Sequence, residues 1–240
     1  MTIKNDIYHV LDTETTGFDE TVDKLVEFAY VKLEDGKIID SFETLINPER
    51  DIPPEASAIH HLIDEDVKDA PFIGDIISDL RDNEEKIYNI VAHNAEFDYK
   101  FLKEYFPGAN VICTYRLAMK LWPDLPKHTN QYLRYYFKLP CEEVKGLPAH
   151  RAKADAIVTS YLFMYELDEL FKRSKDPESI TVAKLIEFIE KPSLLKVCKF
   201  GKHKDKLWSE VPLDYLRWML REMKDLDRDT EFTVRHYLGI

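Results

Sequence analysis

The sequence predicts an α/β protein. A mixed central sheet begins with an antiparallel three-stranded portion, helices pack on it, and a small α+β domain closes the chain. Three observations carry this reading. Two apolar runs, 25–33 and 37–46, flank Asp35-Gly36, a hairpin pair because both residues tolerate positive φ. Further on, short apolar strands alternate with segments of helical periodicity, the order that builds a mixed sheet with helices on it. After Leu170 the composition turns polar, and then acquires its own aromatics and its own charge.

In chain order, residues 7–11 form an apolar strand that runs directly into Asp12 and Glu14 and turns at Gly17. The hairpin follows and ends at Asn47-Pro48, because Pro cannot continue a ladder. Pro53-Pro54 opens a loop, with short helical turns at 56–61 and 63–67, and an amphipathic helix at 73–80. Residues 88–92 form a strand that ends in His93-Asn94. Asn94 suits the N-cap of a helix reaching about residue 105, stopped by Pro107-Gly108. A strand at 111–113 and helices at 115–122 and 131–137 come next. His150 then precedes a helix that starts among alanines and continues with apolar periodicity to residue 170. The expected domains are residues 5–172, a linker and connecting helix at 173–192, and the small terminal domain at 193–240.

With 240 residues the chain is long enough to bury a substantial core, and its net charge is −12. That charge argues against binding nucleic acid by bulk attraction, although not against a grip through metals and a local basic patch. Residues 191–240 hold 11 Lys/Arg against 8 Asp/Glu, a net of +3 that leaves −15 for the rest. Cys113, Cys141 and Cys198 are odd in number and form no C-x-x-C pair, which speaks against a disulfide framework or thiolate zinc site and fits a reducing cytosol. No apolar run approaches a membrane span of roughly 20 residues, and the first residues lack the apolar core of a signal peptide. A cytoplasmic protein without a membrane partner is expected.

Side chains alternate along a strand, so Asp12 and Glu14 share a face. Two close carboxylates repel unless a cation lies between them, and oxygen ligands suit Mg²⁺ or Mn²⁺. By itself, however, the pair describes a solvated strand end. Asp98 would sit in the first turn of a helix, four residues after Asn94, and Asp155 on the alanine-rich helix. Five residues separate His150 from Asp155, about 500° of helical rotation, so the two would diverge if both were helical. His150 therefore belongs on the loop leading into the helix, and the alanines let that helix approach the sheet closely.

Together, Asp12-Thr-Glu14 with Thr16-Gly17, His93-Asn94 with Phe97-Asp98, and His150-x-Ala-x-x-Asp155 resemble the three motifs of the DEDD exonucleases, in the histidine subgroup that includes the proofreading subunits of bacterial replicases. Ala58-Ile-His60 before Ile63-Asp64 resembles that family's linking segment. The tail, with Lys191-Pro-Ser-Leu194, Phe200-Gly-Lys202 and Tyr215-Leu-Arg-Trp218, resembles the exodeoxyribonuclease X branch. Asp205 stands where that branch has a second glycine. Either the turn there is not left-handed, or Asp is strained into it.

The resemblance implies an RNase H-like fold and a 3′→5′ exonuclease that releases nucleoside 5′-monophosphates from DNA with two divalent metal ions, Mg²⁺ or Mn²⁺. It implies that Asp12 bridges both ions, Glu14 and Asp155 complete one shell, Asp98 holds the other ion, and His150 takes the proton of the attacking water. Imidazole, with an ordinary pKa of about 6.5, suits that task. Thr13, Phe18, His60 and Asn94 are candidate substrate contacts. Phe18 either stacks on the terminal base or packs in the core, His60 either touches substrate or is structural, and for Asn94 the capping role is favoured. Lys199, Lys202, Lys204 and Lys206 read as a solvated face rather than a phosphate contact. An exoribonuclease on the same fold and a non-catalytic nucleic-acid-binding module are the competing readings. DNA, single-stranded or at duplex 3′ ends, is the expected partner, with RNA as the alternative.

Overall fold

The first strand is also the central one. In the computed structural model, β1 (Tyr8–Thr15) lies between β2 (Leu25–Glu34) and β4 (Asn89–Ala92). With β3 (Lys37–Leu45) and β5 (Asn110–Cys113) they form one sheet ordered β3-β2-β1-β4-β5. The structure describes residue 3 and residues 6–80, 88–147 and 149–240, so Asn5, the expected start of the first domain, lies outside the described residues. β1, β2 and β3 pair antiparallel, whereas β4 and β5 continue the sheet in parallel with β1. This is the mixed sheet expected from the sequence. Asp35 and Gly36 both adopt positive φ, 49° and 68°, as a two-residue hairpin with right-handed strand twist requires.

β1 extends to Thr15, four residues beyond its apolar start, because β2 pairs with it throughout: Asp12 lies opposite Ala29 and Glu14 opposite Glu27. The ladder satisfies the backbone, so the polar side chains do not end the strand. Leu11, Thr13 and Thr15 are buried, while Asp12 and Glu14 alternate with them and are half-buried.

Ten α-helices are present among the described residues. α1 (Pro54–His60), α2 (Asp64–Val67) and α3 (Ile73–Leu80) follow the hairpin; α4 (Ala95–Leu102) separates β4 from β5; α5 (Thr114–Leu121) and α6 (Asn130–Tyr136) follow β5. The long α7 (Ala152–Arg173) lies across β1 and β2. Ala152, Ala154 and Ala156 are all buried, so small side chains are what bring its first turns close to the sheet. Its Val158 and Phe163 join Val10, Phe28, Val31 and Ile90 of the sheet in the main core.

α8 (Val182–Glu190) contacts β5 and α5, and its Val182, Leu185 and Ile189 join the main core. The connecting helix expected between the domains is thus packed rather than free. Beyond it, α9 (Leu213–Glu222) and α10 (Arg228–Leu238) enclose a second core of Cys198, Trp208, Val211, Leu216, Met219 and Val234. The β content of this tail is a single antiparallel bridge, Val197 to Leu207. All three cysteines are buried and free. No helix among the described residues is long and apolar enough to cross a membrane.

A buried carboxylate, Asp229, is one of the contacts that join the tail to the sheet domain. Asp229 accepts from the Ser193 backbone N–H at 2.8 Å and faces Arg116 at 3.3 Å, while Arg116 Nε donates to the Ile189 carbonyl at 2.9 Å. Removing one partner of such a cluster leaves buried donors unsatisfied, at a cost of about 1–3 kcal/mol. Asp229→Ala should lower urea-unfolding stability by that order and accelerate limited proteolysis around residues 191–195. Wild-type resistance to protease in the variant would show that other contacts hold the tail.

Candidate active site

The end of β1 is where the predicted carboxylates meet. Asp12 and Glu14 project from the sheet toward the start of α7. α4 brings Asp98, which is buried and whose Oδ1 accepts from the Thr13 backbone N–H at 3.0 Å and the Thr13 hydroxyl at 2.8 Å. Thr13 was expected to touch substrate; here its buried hydroxyl fixes Asp98 against the strand.

Asp155, also buried, is held through both oxygens. Gln131 Nε2 donates to Oδ1 at 2.7 Å, and the His150 backbone N–H donates to Oδ2 at 2.7 Å. Asn130 adds bonds to the Asp155 carbonyl at 3.2 Å and to the Thr159 hydroxyl at 3.1 Å. The second of these bonds on Asp155 accounts for the loop position of His150. His150 lies outside the helix at a φ of 62°, and its exposed imidazole is left free of the backbone's task. One ligand atom each from Glu14, His150 and Asp155 fall within 4.8 Å of one another.

Glu27 is the residue that joins the sheet to this loop. It is 2% exposed, pairs with Arg151 at 2.6 Å, and accepts from the Ala152 backbone N–H at 2.9 Å. A carboxylate at the first turn of α7 satisfies a free N–H and meets the positive end of the helix dipole. Neither Glu27 nor Gln131 was anticipated. An acid between Val26 and Phe28 in an apolar strand was the one available signal for Glu27, and Gln131 carried none.

The crowding shows in the acid–base behaviour. Burial, followed by Asp98, Asp155, Glu14 and Glu27, pushes Asp12 well above the usual carboxylate range. Glu14 is pushed to about 8, by burial first and then by Asp155, Glu27 and Asp98, with Arg151 offsetting part of this. Burial raises Asp98 to about 7, although the Thr13 hydrogen bonds pull in the other direction. Arg151 is already engaged by Glu27. Carboxylates that are close, partly desolvated and short of a counter-charge are what a hard divalent cation requires, so the donor set fits such ions.

The other candidates are placed differently. Phe18 is 74% exposed, with its ring edge-on to Phe97 at 6.0 Å and its carbonyl bonded by Lys100. It is therefore not a core aromatic, and its face is open to solvent. At Gly17 before it a Cβ would fall 2.3 Å from the Asp23 carboxylate, so a side chain there would push Asp23 off its bonds from Thr16, the Asp19 N–H and Arg50. His60 is 2% exposed; its Nδ1 accepts from the Leu62 N–H at 3.1 Å, and its Nε2 is buried without a hydrogen-bond partner. Asn94 precedes α4 as expected but makes no side-chain cap, which corrects the favoured reading. Its φ is 68°, and a cap side chain reaches the free N–H groups from an extended backbone. Asn94 is exposed, so its amide is turned to solvent. His93 is locked between the Thr114 hydroxyl and the His128 carbonyl, each at 2.9 Å.

Residues 9–163 match the family described as RNase_T, exonuclease. Exodeoxyribonuclease 10 of Escherichia coli strain K12 is 34% identical over 232 residues, spanning 95% of this chain and 97% of that protein. DNA polymerase III subunit epsilon of Treponema pallidum is 34% identical over 199 residues, 78% of this chain and 90% of its own. Among solved structures, exonuclease X in complex with 5′ overhanging duplex DNA superposes with a TM-score of 0.63 at 34% identity, covering 76% of this chain and 99% of that one.

The raised carboxylates set the pH dependence of stability in metal-free protein. Glu14 and Asp98 bind a proton more tightly folded, at about 8 and about 7, than at their ordinary values of 4.5 and 3.8. Stability from this source is complete below about pH 4 and is lost as pH rises toward 8. The melting temperature should therefore fall between pH 5 and 8 in chelator. Added Mg²⁺ or Mn²⁺ should restore it, most at the upper end. A flat profile in chelator would contradict the crowding.

Proposed function

This chain belongs to the RNase T family of exonucleases, the DEDDh group, and on that premise we propose that it removes nucleoside 5′-monophosphates from the 3′ end of DNA with two divalent metal ions. It is a 3′→5′ exonuclease homologous to exodeoxyribonuclease 10. The observation that carries the mechanism is the meeting of Asp12, Glu14, Asp98 and Asp155 at the end of β1, with the exposed imidazole of His150 beside Glu14 and Asp155. DNA as the polymer is supported by a relative bound to 5′ overhanging duplex DNA.

Asp12, Glu14, Asp98 and Asp155 would hold the ions. When bound, two divalent ions screen the phosphate charge, acidify water and stabilise both the attacking and the leaving oxygen. The chain's own residues supply the geometry and the proton transfer. His150 accepts the proton of the attacking water at a ring nitrogen, which general-base catalysis makes worth about 10²–10⁴-fold. Gln131 fixes the Asp155 carboxylate, Thr13 fixes Asp98, and Glu27 with Arg151 fixes the loop that carries His150. Phe18 offers an open ring to the terminal base, a contact worth about 1–3 kcal/mol in stacking. Asn94 offers its exposed amide to the strand.

End-labelled single- and double-stranded DNA and RNA, with and without Mg²⁺, test the reading. DNA with a free 3′ hydroxyl should be shortened to 5′-monophosphates, and a blocked 3′ end should resist. Asp12→Ala and Asp155→Ala should abolish hydrolysis with the fold intact by circular dichroism. Near wild-type turnover by either variant at saturating Mg²⁺ would sink the two-metal assignment, and digestion from a 5′ end would sink the direction.

His150→Ala separates a base from a ligand. Single-turnover rates should fall about 10²–10⁴-fold, while calorimetric metal affinity stays at the wild-type value. Metal binding lost along with the imidazole would make His150 a ligand; an unchanged rate would make it a bystander.

A further inference from the structure

We propose that the lysine loop of the tail, together with the Tyr215–Trp218 pair, grips the DNA strand on the 5′ side of the end being removed. This rests on the exonuclease reading above and adds a second binding surface to it. Residues 196–206 contain five lysines and one acid in a chain whose net charge is −12. The segment is a defined loop. Cys198 N–H donates to the Lys206 carbonyl at 2.8 Å, Asp205 N–H to the Cys198 carbonyl at 2.7 Å, and Trp208 N–H to the Lys196 carbonyl at 2.9 Å. Asp205 takes a left-handed turn, φ 67°, which Asp tolerates better than most residues. Lys202, Lys204 and Lys206 are exposed, and among the described residues no carboxylate pairs with them.

An aromatic platform lies against the same loop. Gly201 sits on the Tyr215 hydroxyl, where a Cβ would come within 2.7 Å, and His203 meets the Tyr215 ring edge-on at 4.5 Å. Trp218 stacks on Tyr215, centroids 5.2 Å apart, and is 41% exposed. Lysines for phosphates beside an exposed ring for a base are the two elements of sequence-tolerant single-strand binding. The placement favours the substrate strand as occupant. Lys196 pairs with Asp124, and Lys199 bonds the Pro126 carbonyl at 3.3 Å, so the loop rests on the segment that reaches Asp155 through Gln131. Five residues from Pro126 to Gln131 span at most about 18 Å. Lys127 adds a further exposed cation there. A strand with its 3′ end among the carboxylates, which an overall anionic surface repels, meets its local attraction at this loop.

The test compares wild type, Lys202→Ala/Lys204→Ala/Lys206→Ala and Trp218→Ala on two substrates with Mg²⁺. One is the p-nitrophenyl ester of thymidine 5′-monophosphate, too small to reach the tail; the other is a single-stranded DNA 20-mer. All three proteins should hydrolyse the ester alike. On the 20-mer at 50 mM salt, KM should rise about tenfold or more in the triple variant. Its slope of log KM against log salt should shrink by about 2, since each single-strand phosphate contact contributes about 0.7. Trp218→Ala should raise KM at least about fivefold. Ester hydrolysis with 20-mer KM values within twofold of wild type would overturn this surface and leave the exonuclease standing. If wild type hydrolysed neither substrate, the exonuclease reading would fail, and fluorescence anisotropy of the labelled 20-mer would decide the surface alone: tenfold weaker binding by the triple variant supports it, equal binding overturns it.

Discussion

Four carboxylates converge on one strand end, and their mutual repulsion is the constraint around which the rest is arranged. Left to solvent, Asp12, Glu14, Asp98 and Asp155 would separate. Two of them are held by hydrogen bonds from neutral donors: Thr13 on Asp98, and Gln131 with the His150 N–H on Asp155. Such donors orient a carboxylate without cancelling its charge. The cluster therefore keeps a net demand for cations that the fold itself does not meet, as the raised Asp12, Glu14 and Asp98 record.

Arg151, the cation that acts on Glu14, is spent on a different task. Arg151 is paired to Glu27, and Glu27 lies opposite Glu14 in the β1–β2 register. The pair ties the second strand to the first turn of α7 and thereby sets the height of the loop bearing His150. An arginine directed instead at Asp12 or Glu14 would neutralise the site it stands beside. The alanines at 152, 154 and 156 serve the same end by letting the helix lie close to the sheet.

On the surface proposed for the tail, the same electrostatics recur on a larger scale. A site rich in acids at the edge of an anionic chain repels a polyanion. The positive charge has been placed in a separately cored segment, held against the 124–126 turn by Lys196 and Lys199 and through Asp229 to Arg116.

Much was legible in the letters. Asp35-Gly36 announced its hairpin, the period-two alternation put Asp12 and Glu14 on one face, and the five-residue spacing put His150 on a loop before Asp155. These are effects of neighbours in the chain, governed by φ preferences and by repeats of two or 3.6 residues. What only the tertiary structure decided spans long separations: Thr13 with Asp98 across 85 positions, Gln131 with Asp155 across 24, and Arg151 with Glu27 across 124. It also decided that Asn94 turns left-handed and so cannot cap, and that His60 is buried rather than presented. Periodicity cannot report such pairings, because a hydrogen bond between distant residues exists only once the sheet and α7 have brought its two ends within about 3 Å.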